Sequence, residues 1–407
     1  MKPHLSLRSI LNLLFVIFVF NYCTEQPISS SIQSNLKVET LLINNLNFSG
    51  YCIPPNLAIN EKLYLGVKDG LKIPFSFIKI SSSNIWDYYN DSTVIIDSVQ
   101  FKLYYADSLQ DPNIETLQLY FSPDSHFNEN LSTYLDFQEF STNQWYYLGT
   151  PDIYHKYDTS SVYAHSELIW DVDSLMYLLS DSATTRTFVI KYPFNDSNYI
   201  ELFSEEATTG DKDPKIVLSY RRINMSTSDS TTIDTLTNSI FSASDLSIFD
   251  PTELSNFQDH SEINNGAGKR LHMTFAFDIN SLKPGSIVRS ANLIIPMDSS
   301  SLINNFNIII DPISNDSLVD MDTAIFFIED PFENVGYPYR ISSEPDNFNY
   351  VVSIKNILQN IHLGNINNNG FKIVSDEKNY PFDSVLFLLN DTLRSPKIEI
   401  VYVSKED

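Results

Sequence analysis

Three adjacent aromatics, Trp145-Tyr146-Tyr147, stand in a polar stretch with Tyr154 and Tyr157 close behind. Rings of this kind stack on sugar faces while polar neighbours bond to the hydroxyls, which makes these five residues a candidate glycan platform. The competing use is packing, because a two-sheet fold needs large residues to cover its ends. Trp86-Asp87-Tyr88-Tyr89 is a second aromatic cluster with the same two readings. Carboxylates offer another chemistry. Asp171 and Asp173, with the acidic turn Glu205-Glu206 and then Asp211 and Asp213, supply the hard oxygens of which calcium takes about six to eight. No EF-hand spacing is present, and solvated turns have the same composition. A structural calcium ion is the one cofactor this chemistry suggests.

Signatures of catalysis are poor. The seven histidines are scattered, and none lies in the His-Glu-x-x-His spacing that puts two zinc ligands on one helix face. His260-Ser261-Glu262 reads as a surface loop. There is no Gly-x-Ser-x-Gly elbow and no phosphate-cradling glycine loop, so the expectation is a non-enzyme. With 26 Lys and Arg against 51 Asp and Glu, the net charge of −25 argues against nucleic acid or anionic lipid as partners, since a phosphate backbone needs a basic stripe.

These residues must be positioned by strands. Val99 to Tyr105 alternates apolar and polar residues with a period of two, and 116–121, 187–192, 199–203 and 215–220 read likewise. Further strands are expected at 293–297, 306–310, 370–374, 384–388 and 397–403. Phe101, Leu103, Val189, Ile216 and Leu218 are the expected core of the first half. Helical spacing appears twice, at Val172, Leu175, Met176, Leu179 and at Ile354, Ile357, Leu358, Ile361. With only 11 glycines, turns must use Asn, Asp and Ser.

The second half echoes the first. Asp213-Pro214-Lys215-Ile216 returns as Ser395-Pro396-Lys397-Ile398, 396 − 214 = 182 residues on. The helical block returns at the same offset, 354 − 172 = 182, and Val94 to Leu103 answers to Ser286 to Ile295. Three blocks in one order predict two copies of one domain. The fold class expected is all-β: two tandem antiparallel jelly-roll-like β-sandwiches after a signal segment. The boundaries are a signal at 1–22, a polar tether at 23–35, a first sandwich at 36–222 with a first strand within 36–60, a linker at 223–239 and a second sandwich at 240–407.

Ser98 to Tyr105, Trp170-Asp171-Val172-Asp173-Ser174-Leu175, Ile200 to Ala207 and Pro214 to Tyr220 together resemble the DNRLRE domain, a secreted bacterial β-sandwich related to carbohydrate-binding modules. The likeness departs at Glu205, where that family has Arg, and the second half reads Leu388-Leu389-Asn390-Asp391 at the acidic turn. It implies an exported, non-catalytic ancillary module. The N-terminus agrees: Lys2 and Arg8 precede an apolar run from Ile10 to Phe20, and Cys23 follows at once, which resembles the lipobox of bacterial lipoproteins although Asn21 and Tyr22 stand where small residues are usual. Cys23 is thus the candidate lipidation site, with the only other cysteine, Cys52, as its partner if a bridge forms instead. The expected function is an exported, lipid-anchored, non-catalytic binding protein on the outer membrane or cell surface, or else extracellular, with polysaccharide or cell-surface glycan as partner and no nucleic acid. The alternatives are a structural or adhesion protein with a protein partner, and a cryptic polysaccharide hydrolase or lyase.

Overall fold

The computed structural model describes residues 36–105, 114–123, 126–137, 145–157, 163–193, 199–208, 211–225, 231–251, 261–299, 305–315 and 326–405. The expected signal segment at 1–22, the expected tether at 23–35 and Cys23 lie outside the described residues.

The strands of the N-terminal half are β1 (Leu36–Ile43), β2 (Leu46–Cys52), β3 (Lys62–Lys68), β4 (Leu71–Ile73), β5 (Phe75–Ile80), β6 (Val94–Tyr105), β7 (Gln118–Ser122), β8 (Tyr146–Gly149), β9 (Asp152–Tyr157), β10 (Tyr163–Asp171), β11 (Thr187–Lys191), β12 (Tyr199–Phe203), β13 (Lys215–Met225) and β14 (Thr231–Ser247). Those that follow are β15 (Glu262–Asn264), β16 (Lys269–Phe275), β17 (Ile287–Pro296), β18 (Ile308–Pro312), β19 (Ile341–Ser343), β20 (Pro345–Asp346), β21 (Asn349–Ser353), β22 (Phe371–Ser375), β23 (Ser384–Leu386) and β24 (Lys397–Lys405). Two short helices, α1 (Met176–Ser180) and α2 (Lys355–His362), lie where the apolar spacing predicts them. The chain is all-β, built from antiparallel sheets around separate cores.

The first core lies between two sheets. One carries β9, β10, β6, β13 and the first part of β14, with β12, β3 and β4 continuing it; the other runs β14, β5, β11, β7, β8. β14 belongs to both because it bends. It pairs with β13 as far as Phe241 and with β5 from Ser242 on, across a register shift between Ser242 and Ser244. Phe101, Leu103, Ile216 and Leu218 point into this core, as their alternation requires, and are fully buried. Val189 is equally buried but on the far face of its sheet, under Tyr134, Phe137 and Trp145.

The second core lies between the sheet β1-β24-β17-β21-β20 and the sheet β19-β18-β22-β16-β15-β23, with β2 also on β16. β6 carries β10 on one side and β13 on the other; β17 carries β21 and β24 in the same way.

Two expected boundaries are corrected. Residues 36–52 belong to the second sandwich, not the first: β1 pairs with β24 over its whole length, from Leu36 opposite Lys405 to Ile43 opposite Ile398, and β2 pairs with β16. Leu41, Ile43, Leu46 and Phe48 pack on the second core, and that burial holds the pair there. Nor is 223–239 a linker. Met225 pairs with Thr231 and Ile223 with Ile233, so residues 223–225 and 231–239 lie in the paired strands β13 and β14, whose Thr and Ile suit extended backbone.

The sandwiches meet through an aromatic junction. Tyr64 lies edge-on to Phe249, Tyr380 and Phe382 at 5.7, 6.0 and 5.6 Å between ring centroids. Lys68 Nζ donates to the hydroxyls of Tyr199 at 2.9 Å and Tyr380 at 2.8 Å, and Tyr380 in turn donates to Glu201. Burial and that bond to Glu201 push the Tyr380 hydroxyl well above its ordinary value. Gly266 sits so close that a Cβ would fall 2.6 Å from the Pro381 carbonyl oxygen and 2.7 Å from Leu71.

Candidate functional site

Strand alternation disperses the candidate aromatic platform. Trp145 is only 9% exposed and lies edge-on to Phe75 at 5.5 Å, covering the outer face of the β5–β11–β7 sheet. That is a correction: its ring is packing, not platform. Tyr147 shares its face, 5.2 Å from Tyr120, whereas Tyr146 turns to the opposite face beside Phe121. Tyr154 lies on β9 in the other sheet, next to Ile153, which packs on the first core, so Tyr154 faces outward. The three tyrosines are nevertheless 46%, 56% and 55% exposed, on the edge strands β8 and β9 at one side of the sandwich. Tyr157 pairs through its backbone with Tyr163, and its side chain lies outside the described residues. Trp86 is buried, with its indole N–H donating to the Ser81 carbonyl at 3.2 Å.

The candidate calcium set also divides. Asp173 Oδ1 accepts from the Val99 N–H at 2.5 Å, and Asp171 accepts from the Gln100 side chain at 3.4 Å, both at one end of the β6–β10 ladder. Glu205 and Glu206 follow β12, which meets β6 at Tyr105, the other end. Asp171 and Asp173 therefore cannot share an ion with Glu205 and Glu206. What folding brings to the glutamates instead is Glu129, with the three carboxylates within 4.8 Å of one another. Asp245 of β14 joins them: it is buried, its Oδ2 accepts from the Glu205 N–H at 2.7 Å, and its own N–H donates to Glu129 Oε1 at 2.7 Å. Glu206 Oε2 is buried without a partner. Burial first, and the neighbouring carboxylates second, push Asp245 well above the usual carboxylate range; burial likewise raises Glu206 to about 7.

Cys52 ends β2 as a free, buried thiol, which burial pushes up to about 12. No helix among the described residues is long and apolar enough to cross a membrane.

A polar cleft beside the junction is a third feature. On the outer face of the second sandwich, Asp311 of β18, Lys372 of β22 and His272 of β16 stand in one cross-strand row. Phe332 stacks on His272 at 4.3 Å and meets Tyr51 edge-on at 5.2 Å, so the segment from 327 to 334 folds over this row. Within it Asp330 is saturated: Oδ2 accepts from Arg270 at 2.6 Å and Lys372 at 2.7 Å, and Oδ1 from the Phe332 N–H at 3.0 Å and the Tyr51 hydroxyl at 3.3 Å. Asp311 is not. It is 2% exposed, its Oδ1 has no partner, and its Oδ2 is 3.8 Å from Arg340. Burial raises its carboxyl, offset in part by Arg340 and Lys372. Sequence reading passed over this residue, though a carboxylate closing the apolar run Ile308-Ile309-Ile310 was a visible anomaly. Asp245 offered no such signal between Ser244 and Leu246.

A scan against protein-family models and searches of curated proteins and of solved structures return no match to this chain.

Proposed function

We propose that this protein is an exported, non-catalytic binding protein for polysaccharide or cell-surface glycan, held to the membrane by a lipid on Cys23. The observation that carries the reading is the half-exposure of Tyr146, Tyr147 and Tyr154 on the edge strands β8 and β9. A phenol ring joins an apolar face to a hydroxyl, the combination that contacts a sugar ring, and loops and edges on a rigid scaffold are where recognition usually sits. The resemblance to the DNRLRE domain points the same way, and it also supports common descent of the two halves. Calcium, if bound, is structural and held by Glu129, Glu205, Glu206 and Asp245. A glycan array tests the reading: specific binding of polysaccharide, weakened about tenfold in Tyr147→Ala or Tyr154→Ala, supports it.

An adhesion role with a protein partner is favoured by a different surface. Leu36, Val38 and Leu42 of β1 share one face with Ile287 and Val351, all exposed, so the β1–β24–β17–β21 sheet presents apolar side chains to solvent. A wild type that binds no glycan moves the assignment to this reading.

A further inference from the structure

We propose that the cleft beside the sandwich junction is a binding site for a neutral oligosaccharide, with Asp311 accepting from ring hydroxyls and Arg340 donating to them. The inference rests on the glycan reading above and gives it a second location and a ligand class.

The cleft has two lobes. The first, about 180 Å³, is lined by Asp311, Arg340 and Lys372 of the second sandwich and by Asn56 and Leu57 of the segment entering the first. The second, about 360 Å³, adjoins it through shared Asn56, Arg270 and Glu377. Asn56 is anchored, its amide donating to the carbonyls of Glu129 and Ser132 at 2.8 Å each.

Asp311 shows what is missing. A buried carboxylate oxygen without a donor is costly, as Oδ1 is, and the other oxygen, Oδ2, stands 3.8 Å from Arg340, too far for a hydrogen bond. The site therefore calls for a group that donates to Asp311 and accepts from Arg340. A hydroxyl does both, and two vicinal hydroxyls do so in parallel. The charge balance of the lining selects against other ligands. Lys269 is paired with Glu262, and Arg270 and Lys372 share Asp330, so few cations are left for an anion, which would also meet Asp311 and Glu377. A metal ion would meet Arg340 and Lys372. The first lobe has room for a single ring. The second lobe is more apolar, with exposed Ile59, Leu131 and Ile328 in its lining, and suits the C–H face of a following ring.

The test is calorimetric titration of the full-length protein with neutral tetrasaccharides of β-1,4-linked glucose, xylose and mannose, and with tetragalacturonate. At least one neutral probe should bind. Asp311→Asn and Arg340→Ala should each weaken it tenfold or more while leaving the melting temperature within a few degrees; Arg340 is half exposed, so the fold does not depend on it. Neutral binding that survives both substitutions sinks the cleft and leaves the glycan reading standing. Tetragalacturonate bound in preference to every neutral probe overturns the ligand class. No binding by the wild type removes the glycan reading and this site with it. Asp311→Asn that only raises the melting temperature shows a buried acid that holds water and no ligand.

Discussion

Trp145 packs against Phe75 and stands 6.3 Å from Phe77, so its role is read from its neighbours and not from its type. Trp145→Ala should cost about 3–5 kcal/mol of stability through lost transfer energy and the cavity left behind, measured by urea unfolding. Leu218, fully buried between the sheets, belongs to the same class, and Leu218→Ala should cost about 2–5 kcal/mol; a loss under about 1 kcal/mol would contradict the burial of that strand face. The carboxylate cluster makes a prediction of opposite sign. The Glu206 carboxyl rises from 4.5 to about 7 on folding, and burial holds Asp245 well above its own ordinary range, so the folded chain keeps protons that the unfolded chain releases. Stability then falls as pH climbs through the window, and the penalty is complete above it. Asp245→Asn keeps an acceptor for the Glu205 N–H and removes a charge, so it should raise the melting temperature more at about pH 8 than at about pH 5. Millimolar calcium should close most of that gap at the higher pH if the carboxylates hold an ion; a gap indifferent to calcium argues that protons alone relieve the cluster.

Elements carry the next set of consequences. β1 is an edge strand whose partner β24 is nearly at the other end of the chain, and without it β24 has a bare edge. Deleting residues 36–43 should therefore abolish hydrogen-exchange protection of the 397–405 amides that point at β1, while those bonded to β17 and the 94–105 strand stay protected. Loss of protection in both places would show that the two cores unfold as one unit. The β13–β14 hairpin teaches a related point. Ser and Thr between Asn224 and Thr237 suggest a linker by composition, yet Ile223 and Ile233 face each other in a ladder that reaches Met225 and Thr231. Polar residues on a ribbon with solvent on both faces obey the same alternation as a strand, without the apolar half that would betray it.

At the scale of the whole molecule, the junction decides whether two sandwiches act as one body. Its aromatic cluster is closed by Lys68, whose ammonium sits 4.1 Å over the Tyr199 ring and donates to two tyrosine hydroxyls. Gly266 is wedged between the Leu71 side chain of the first sandwich and the Pro381 carbonyl of its own, so Gly266→Ala must displace one or both of them. It should lower the melting temperature and loosen the pair, visible as a larger radius of gyration in small-angle scattering. An unchanged radius and midpoint would mean that the junction yields without cost. Because both lobes of the polar cleft draw residues from 53–59 and from the second sandwich, the same substitution should also weaken any ligand held there.

What the sequence by itself determined is the pattern of apolar faces along its buried strands and two helices. The alternation of Phe101, Leu103, Ile216 and Leu218 and the two helical blocks are local patterns, and each is where the chain said it would be. Tertiary structure alone decided which strand edges meet and which charges become neighbours. Leu36 finds Lys405, Glu129 and Asp245 find Glu205, and Asp311 loses its hydration beside Arg340, although nothing in their own segments names those partners. The physical reason is that periodicity records which face is buried, not against what. Backbone pairing is nearly indifferent to residue type, and a carboxylate's energy depends on the charges and solvent that the completed fold leaves around it.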